Sequence, residues 1–362
     1  MNETSDVAKP GKILIVRLGA MGDIIHALPA AMLLKASFPQ AKVGWVIERR
    51  WGSLLEWKFG GRPFPDLVHR VDTRAWRKHP LSFDTMTEIS AAIRELRAEK
   101  YDVAVDFQGA IKSAAIALIG GAPRRFGFSD PWEKPASLFY TNPIQSNAKH
   151  VVKRNLDLAT AIVDGTSVSA VAGSLFQWFP SDKNIPAWVE AELERLNLSS
   201  PFAILNPGAG WGAKQWPVER YAEIARALGA EGIRSLVNHG PGEEELARRV
   251  EQNSNGHAVA ASFTVSQLMG ITHRASLFVG GDTGPMHLAA LLNVPVVAIF
   301  GPTDPARNGP HGTKSIVLRD ASSITSHKRN RETEAGLRNI TTEQVLKAAR
   351  ELLHLNSEGV RA

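Results

Sequence analysis

The chain contains no cysteine. Disulfides, thiolate metal sites and a cysteine nucleophile are therefore excluded. It has no apolar run near the roughly 20 residues that span a bilayer. The opening MNETSDVAKPGK places acids, Pro and Gly where a secretory leader needs an apolar core. A cytoplasmic protein, at most peripheral to a membrane, is expected. No clustering of His, Asp and Glu has metal-ligand spacing, and the first glycine turn is Gly19-Ala20-Met21-Gly22 rather than G-x-G-x-x-G. That departure weakens a nicotinamide-dehydrogenase reading, which only Glu48, at the end of the second strand, keeps open.

What is present suits a soluble α/β protein. Apolar residues make up 44% of 362 positions, enough for about two domains of roughly 150 residues. The formal charge is +6, and all of the excess lies in residues 1–180, which carry 23 Lys and Arg against 17 Asp and Glu. An anionic partner for the first half is one reading of that bias, and ordinary solubility is the other.

Residues 12–37, KILIVRLGAMGDIIHALPAAMLLKAS, read as a buried strand, a glycine turn and a helix. Asp23 then stands at a helix start, at the edge of a parallel sheet where clefts open. It is either an N-cap or a functional acid. Further strands are expected at 42–48 and 101–107, with helices over 87–100, 113–118 and 150–163. Residues 60–82 read as a long loop, in which Arg70, Arg74, Arg77 and Lys78 surround Trp76. Nucleic acid or phosphorylated lipid would each suit that cluster.

Weak periodicity over 164–200 marks the junction, after which the α/β pattern restarts. In PGAGWGAKQWP (207–217), a glycine loop carries Lys214, either solvated or placed on a phosphate. In GPGEEELARR (240–249), Glu243 either opens a surface helix or accepts from ribose hydroxyls. In GDTGPMH (281–287), a strand delivers Asp282, Thr283 and Gly284 to a helix start, with His287 one turn in. Such a start favours anions, although a tight turn with a packed His has the same pattern. Residues 303–339 read as irregular and 341–355 as a closing amphipathic helix. Two such halves predict two facing Rossmann-like domains with a ligand cleft between them.

Taken together, MGDIIHALPA (21–30) and GGDTGPMHLAALLNVPVVAIFGPTDP (280–305) resemble glycosyltransferase family 9, the ADP-heptose–lipopolysaccharide heptosyltransferases. FQGAIKSA (107–114), PASLFY (135–140) and KQWPVERY (214–221) fall in family order, and within the family the likeness is strongest to the enzymes that add the first heptose. The resemblance implies a GT-B fold. Residues 1–11 would be a disordered tail, 12–175 the acceptor domain, 176–335 the nucleotide-sugar domain, and 336–362 a helix packing back on the first domain.

The resemblance also implies inverting transfer of heptose from ADP-heptose to the Kdo region of the lipopolysaccharide inner core. Asp23 would be the general base. Lys214, Glu243, Asp282, Thr283, Gly284 and His287 would hold the donor, and Arg74, Arg77 and Lys78 the phosphorylated Kdo-lipid acceptor at the inner membrane surface. No metal, other cofactor or nucleic acid is implied. Gly19, Ala20, Ala75 and Trp132 depart from the family pattern, as does the 320–340 segment, where many relatives carry cysteine. These departures bear on the acceptor. A family member using another ADP-sugar or a later core acceptor, and a non-catalytic lipid- or nucleic-acid-binding relative, are the competing readings.

Overall fold

The computed structural model describes residues 9–56, 58, 59, 62–163, 187–198, 200–326, 328 and 330–359. The chain divides into two compact units, Met1–Phe179 and Pro180–Ala362. Most of the expected 1–11 tail and most of the 164–200 junction lie outside the described residues.

The strands of the first unit are β1 (Lys12–Val16), β2 (Lys42–Glu48), a short ribbon of β3 (Lys58–Phe59) and β4 (Arg62–Pro63), β5 (Leu67–Val71), β6 (Val103–Asp106), β7 (Arg124–Phe128) and β8 (Asn142–Ile144). Its helices are α1 (Met21–Ser37), α2 (Thr73–Lys78), α3 (Phe83–Ala98), α4 (Ile111–Ile119) and α5 (Val151–Thr160). The main sheet runs β5-β2-β1-β6-β7-β8, with every pair parallel. Ile13, Leu14, Ile15 and Val16 are fully buried, as a strand covered on both faces requires.

Two stretches differ from expectation. Residues 60–82 are not a loop: they hold edge strand β5 and helix α2, which Asp72 caps by accepting the Ala75 N–H at 2.9 Å. Residues 127–140, whose aromatics and prolines read as a loop then a helix, contain the end of β7 and a 3-10 turn, Lys134–Phe139. Short edge strands carry too little periodicity to stand out from turn-rich sequence.

The second unit repeats the plan with β9 (Phe202–Asn206), β10 (Arg234–Asn238), β11 (Ala258–Ala261), β12 (Leu277–Gly281), β13 (Val296–Phe300) and β14 (Ser315–Arg319). The order is β11-β10-β9-β12-β13-β14, again all parallel. β14 falls inside the stretch expected to be irregular. In both sheets the strand order reverses beside the first strand of the unit, between β1 and β6 and between β9 and β12. Ligands of open parallel sheets bind outside the carboxyl ends of the strands at that switch point.

The closing helix Thr342–Gly359 uses its apolar face within the second unit. Val345, Ala348, Ala349 and Leu352 enter the second unit's core with Tyr221 and Ile224. Trp216 Nε1 fixes the approach by donating to the Ile340 carbonyl at 3.0 Å. Spacings of three and four place those four side chains on one stripe, which the second sheet buries. Among the described residues no helix is long and apolar enough to cross a membrane.

Candidate active site

In the first unit, the turn after β1 carries Asp23. The helix N-cap is Ala20, so Asp23 is not the cap but the third helical residue. Its carboxylate reaches back to accept the Ala20 N–H at 3.1 Å, which satisfies a donor the helix cannot. Its other oxygen lies 2.8 Å from Arg17 Nη2. Arg17 is buried whereas Asp23 remains 45% exposed, so the pair presents the carboxylate outward from a fixed base. Arg17 Nη1 donates to the Phe107 carbonyl at 2.8 Å, and the Leu18 N–H donates to Gln108 Oε1 at 3.0 Å. The ends of β1 and β6 are thereby tied together at the switch point.

The β6 end is organised by Asp106, which is fully buried. One oxygen accepts the N–H groups of Gln108 (2.8 Å) and Gly109 (3.2 Å). The other accepts Ser113 Oγ (2.8 Å) and the Tyr140 hydroxyl (2.7 Å). Burial raises the carboxyl pKa, and those four bonds oppose the rise. The sequence motifs 107–114 and 135–140 therefore meet on one acid just outside both. Asp106→Ala should cost about 3 kcal/mol by stranding buried donors. Urea unfolding checks this, and a loss under about 1 kcal/mol would mean that the donors find other partners.

Arg74, Arg77 and Lys78 lie exposed on α2. With Glu48, Arg49, Arg50, Asp72 and His79 they line a hollow of about 530 Å³. Partial burial, and after it the Arg74 charge, lower the Arg50 pKa, against the pull of Glu48 and Asp72. Glu48 accepts a short hydrogen bond from Thr73 Oγ1 at the start of α2, and its backbone N–H pairs with the Leu18 carbonyl. It joins the β1 turn to the basic helix rather than standing free for a nucleotide ribose.

In the second unit three expected residues come together. Lys214 Nζ donates to Asp282 Oδ2 at 2.7 Å and to the Asp282 carbonyl at 3.0 Å, and lies 4.5 Å from the centre of the Trp211 ring. His287 Nε2 donates to Asp282 Oδ1 at 3.1 Å. Burial pushes the Asp282 carboxyl up, but His287 and Lys214 outweigh it and hold the pKa well below the usual range. Asp282 is therefore an anion at neutral pH, and both cationic or donor groups are tethered beside the Gly284–Leu291 helix. Thr283 holds the N-cap position without a side-chain cap bond, its hydroxyl donating to the Gly281 carbonyl at 3.3 Å, and Pro285 fills the first turn.

Glu243 sits apart from this triad, in the turn after β10, and accepts the Gly240 N–H at 2.9 Å. It is not adrift: a Cβ on Gly208 would fall 2.1 Å from the Glu243 carboxyl carbon, so the glycine loop abuts it. Asn206 Nδ2 holds that loop through the Gly208 carbonyl, and Asn238 Nδ2 donates in turn to Asn206 Oδ1. The motif spacing did not single out Arg17, Asp106, Asn206 or Asn238. Each is a lone polar residue at or just beyond the end of an apolar strand, and that position is their only mark in the sequence. Among the described residues, no group of three or more His, Asp or Glu is placed to hold a metal ion.

Two successive Rossmann-like units of this strand order, the second with Lys214 and His287 gathered at a helix start beyond its switch point, are the GT-B class of glycosyltransferase fold. Residues 89–337 match glycosyltransferase family 9 (heptosyltransferase), and the chain belongs to that family. It is a glycosyltransferase enzyme, which removes the non-catalytic and the oxidoreductase readings. It is 30% identical to lipopolysaccharide heptosyltransferase 1 of Escherichia coli K12 over 85% of this chain and 93% of the relative. It is 27% identical to lipopolysaccharide heptosyltransferase 2 of the same strain over 94% and 98%. The solved structure of E. coli heptosyltransferase WaaC with ADP-2-deoxy-2-fluoro heptose superposes with a TM-score of 0.73, at 26% identity, over 94% of this chain and 99% of that one.

Proposed function

We propose that this enzyme transfers heptose from ADP-heptose to the Kdo region of the lipopolysaccharide inner core, working as a peripheral protein at the cytoplasmic face of the inner membrane. The observation that carries the reading is the Lys214–Asp282–His287 cluster at the helix start of the second unit; the first unit separately holds a half-exposed Asp23 at its own switch point. A structure of a relative with an ADP-heptose analogue supports the donor. The relative named heptosyltransferase 1 supports the step.

The acceptor hydroxyl oxygen attacks the anomeric carbon of the donor. The bond from that carbon to the phosphate oxygen breaks, ADP leaves with the electron pair, and configuration inverts. Asp23 takes the hydroxyl proton. Lys214, His287 and the Thr283–Gly284 backbone neutralise charge growing on the diphosphate, so the transfer needs no divalent cation. Unchanged turnover in excess EDTA is the expected result, and a metal-restorable loss would overturn that point. Asp282 contacts the sugar while orienting Lys214 and His287. Glu243 accepts from ribose hydroxyls. Arg74, Arg77 and Lys78 pair with acceptor phosphate or carboxylate groups.

Gly208→Ala tests the ribose contact without replacing Glu243. The new methyl must displace the carboxylate. Losing its charge-assisted hydrogen bond, worth roughly 1.5–3 kcal/mol, should raise the donor Kd about tenfold or more. Titration calorimetry with ADP reads it, and an unchanged Kd would remove Glu243 from the nucleotide site.

The likeness to heptosyltransferase 2 across nearly the whole chain keeps a second reading, a later core acceptor. Mass spectrometry of products from a panel of Kdo-lipid and heptosylated acceptors decides between them. Exclusive use of the heptosylated acceptor would replace the first reading with the second.

A further inference from the structure

The turn between α2 and α3 sits beside the proposed acceptor cations and is not used by them. Leu81 is 88% exposed, Phe83 83% and Met86 58%. Ten large apolar side chains stand out as exposed among the described residues, and seven of them lie in the first unit, which also holds the whole basic excess. A hydrophobic staple is the ordinary account of Leu81 and Met86, which flank the Ser82 cap at the positions that pair in such a staple. It fails here because a staple would cover Leu81, and Phe83 has no place in one. Nor is the tip a loose loop. The Ser82 N–H donates to the His79 carbonyl, Ser82 Oγ accepts the Thr85 N–H, and the Met86 N–H donates to the Ser82 carbonyl. A rigid turn thus holds three apolar side chains in water.

Charge and topology indicate what covers them. Arg74, Arg77, Lys78 and His79 are exposed immediately before the tip. The tip itself has one acid, Asp84, while the nearby Glu88 is engaged by Trp76 Nε1 and Arg49. Because β5 runs parallel to β1 and passes directly into α2, the tip rises from the strand-end edge of the sheet that also carries Asp23. Exposed apolar side chains next to exposed cations suit an interface where hydrocarbon lies beneath anionic headgroups.

We infer that the 81–86 turn is a membrane-docking wedge: Leu81, Phe83 and Met86 enter the outer acyl region of an anionic bilayer, towards which the charge of the neighbouring acceptor cations draws the tip. The inference rests on the proposed lipid acceptor only for why a membrane is approached. Docking places the acceptor hollow at the lipid surface without drawing the glycolipid out.

The test is sedimentation of the full chain with vesicles of phosphatidylethanolamine and phosphatidylglycerol, compared with phosphatidylcholine alone. The wild type should bind the anionic vesicles, less so as salt screens the headgroups. Leu81→Ser with Phe83→Ser should weaken that binding on the order of tenfold, since two apolar side chains no longer partition. Its circular dichroism should be unchanged, and so should its turnover on a de-acylated soluble acceptor. Equal vesicle binding by the double variant overturns the inference. So does an absence of vesicle binding accompanied by self-association that the double variant abolishes, which would make the tip a contact between copies. Vesicle binding is read without turnover, so failure of the heptose or acceptor assignment leaves this result standing on its own.

Discussion

Asp23→Ala is expected to lower kcat by about 10²–10⁴-fold, the usual contribution of a positioned base, while the donor KM stays within about twofold. Both carboxylate oxygens are engaged on the protein side, one by the Ala20 N–H and one by Arg17. Each oxygen retains a second lone pair, and the side chain is half open to solvent. The group is therefore fixed in direction and free to accept a proton. Asp23→Asn keeps the shape but not the basicity, and should be as slow as the Ala variant. Single-turnover kinetics with saturating ADP-heptose separate this from a binding defect. Asp23→Asn, which keeps an oxygen beside the buried Arg17, should melt close to wild type, whereas Asp23→Ala strands that guanidinium and should melt lower. Wild-type turnover in either variant would remove Asp23 from the chemistry.

Lys214→Met is expected to have the second largest effect, and to act twice. Loss of one cation at the developing diphosphate charge should reduce kcat/KM by about 10²–10³-fold. The same substitution leaves Asp282 buried with only His287, at a cost of about 3–5 kcal/mol at neutral pH. The pH dependence has a definite sign. The folded-state pKa of Asp282 is depressed, so its contribution is present above the unfolded value, near about 3.9, and is lost as pH falls toward the folded one. The stability gap between wild type and variant should therefore be widest near neutrality and should narrow below about pH 4. Urea melts at neutral and acid pH measure it. A gap that stays constant with pH would mean that Lys214 does not hold the Asp282 charge.

The order of strands and helices was largely legible because both sheets are parallel and buried. A strand covered on both faces must be a continuous apolar run, and Lys12–Val16, Phe202–Asn206 and Val296–Phe300 are such runs. Glycine turns at their ends are visible for the same reason, since the chain must reverse tightly there. The exceptions are at the sheet margins. β5, β8, β11 and β14 are the edge strands and β7 lies beside one of them; all are short, partly solvated or embedded in turn-rich sequence, and an edge strand needs no apolar run.

By itself the sequence determined the two-fold repetition of the α/β pattern, the family, and the residue types gathered at the strand ends. It carried these because they depend on local spacing: apolar period, turn glycines, and a charge bias confined to the first half. Only the tertiary structure decided what each polar group faces. Asp23 turned out to be braced by Arg17 rather than acting as the helix cap, and motifs some 30 residues apart converge on Asp106. Asp282 is a buried anion with two partners, one 68 residues upstream. The exposed tip at 81–86 also became visible only once its neighbours were placed. Partners so far apart in the chain leave no periodic trace, because the contact between them is created by the fold and not by their spacing.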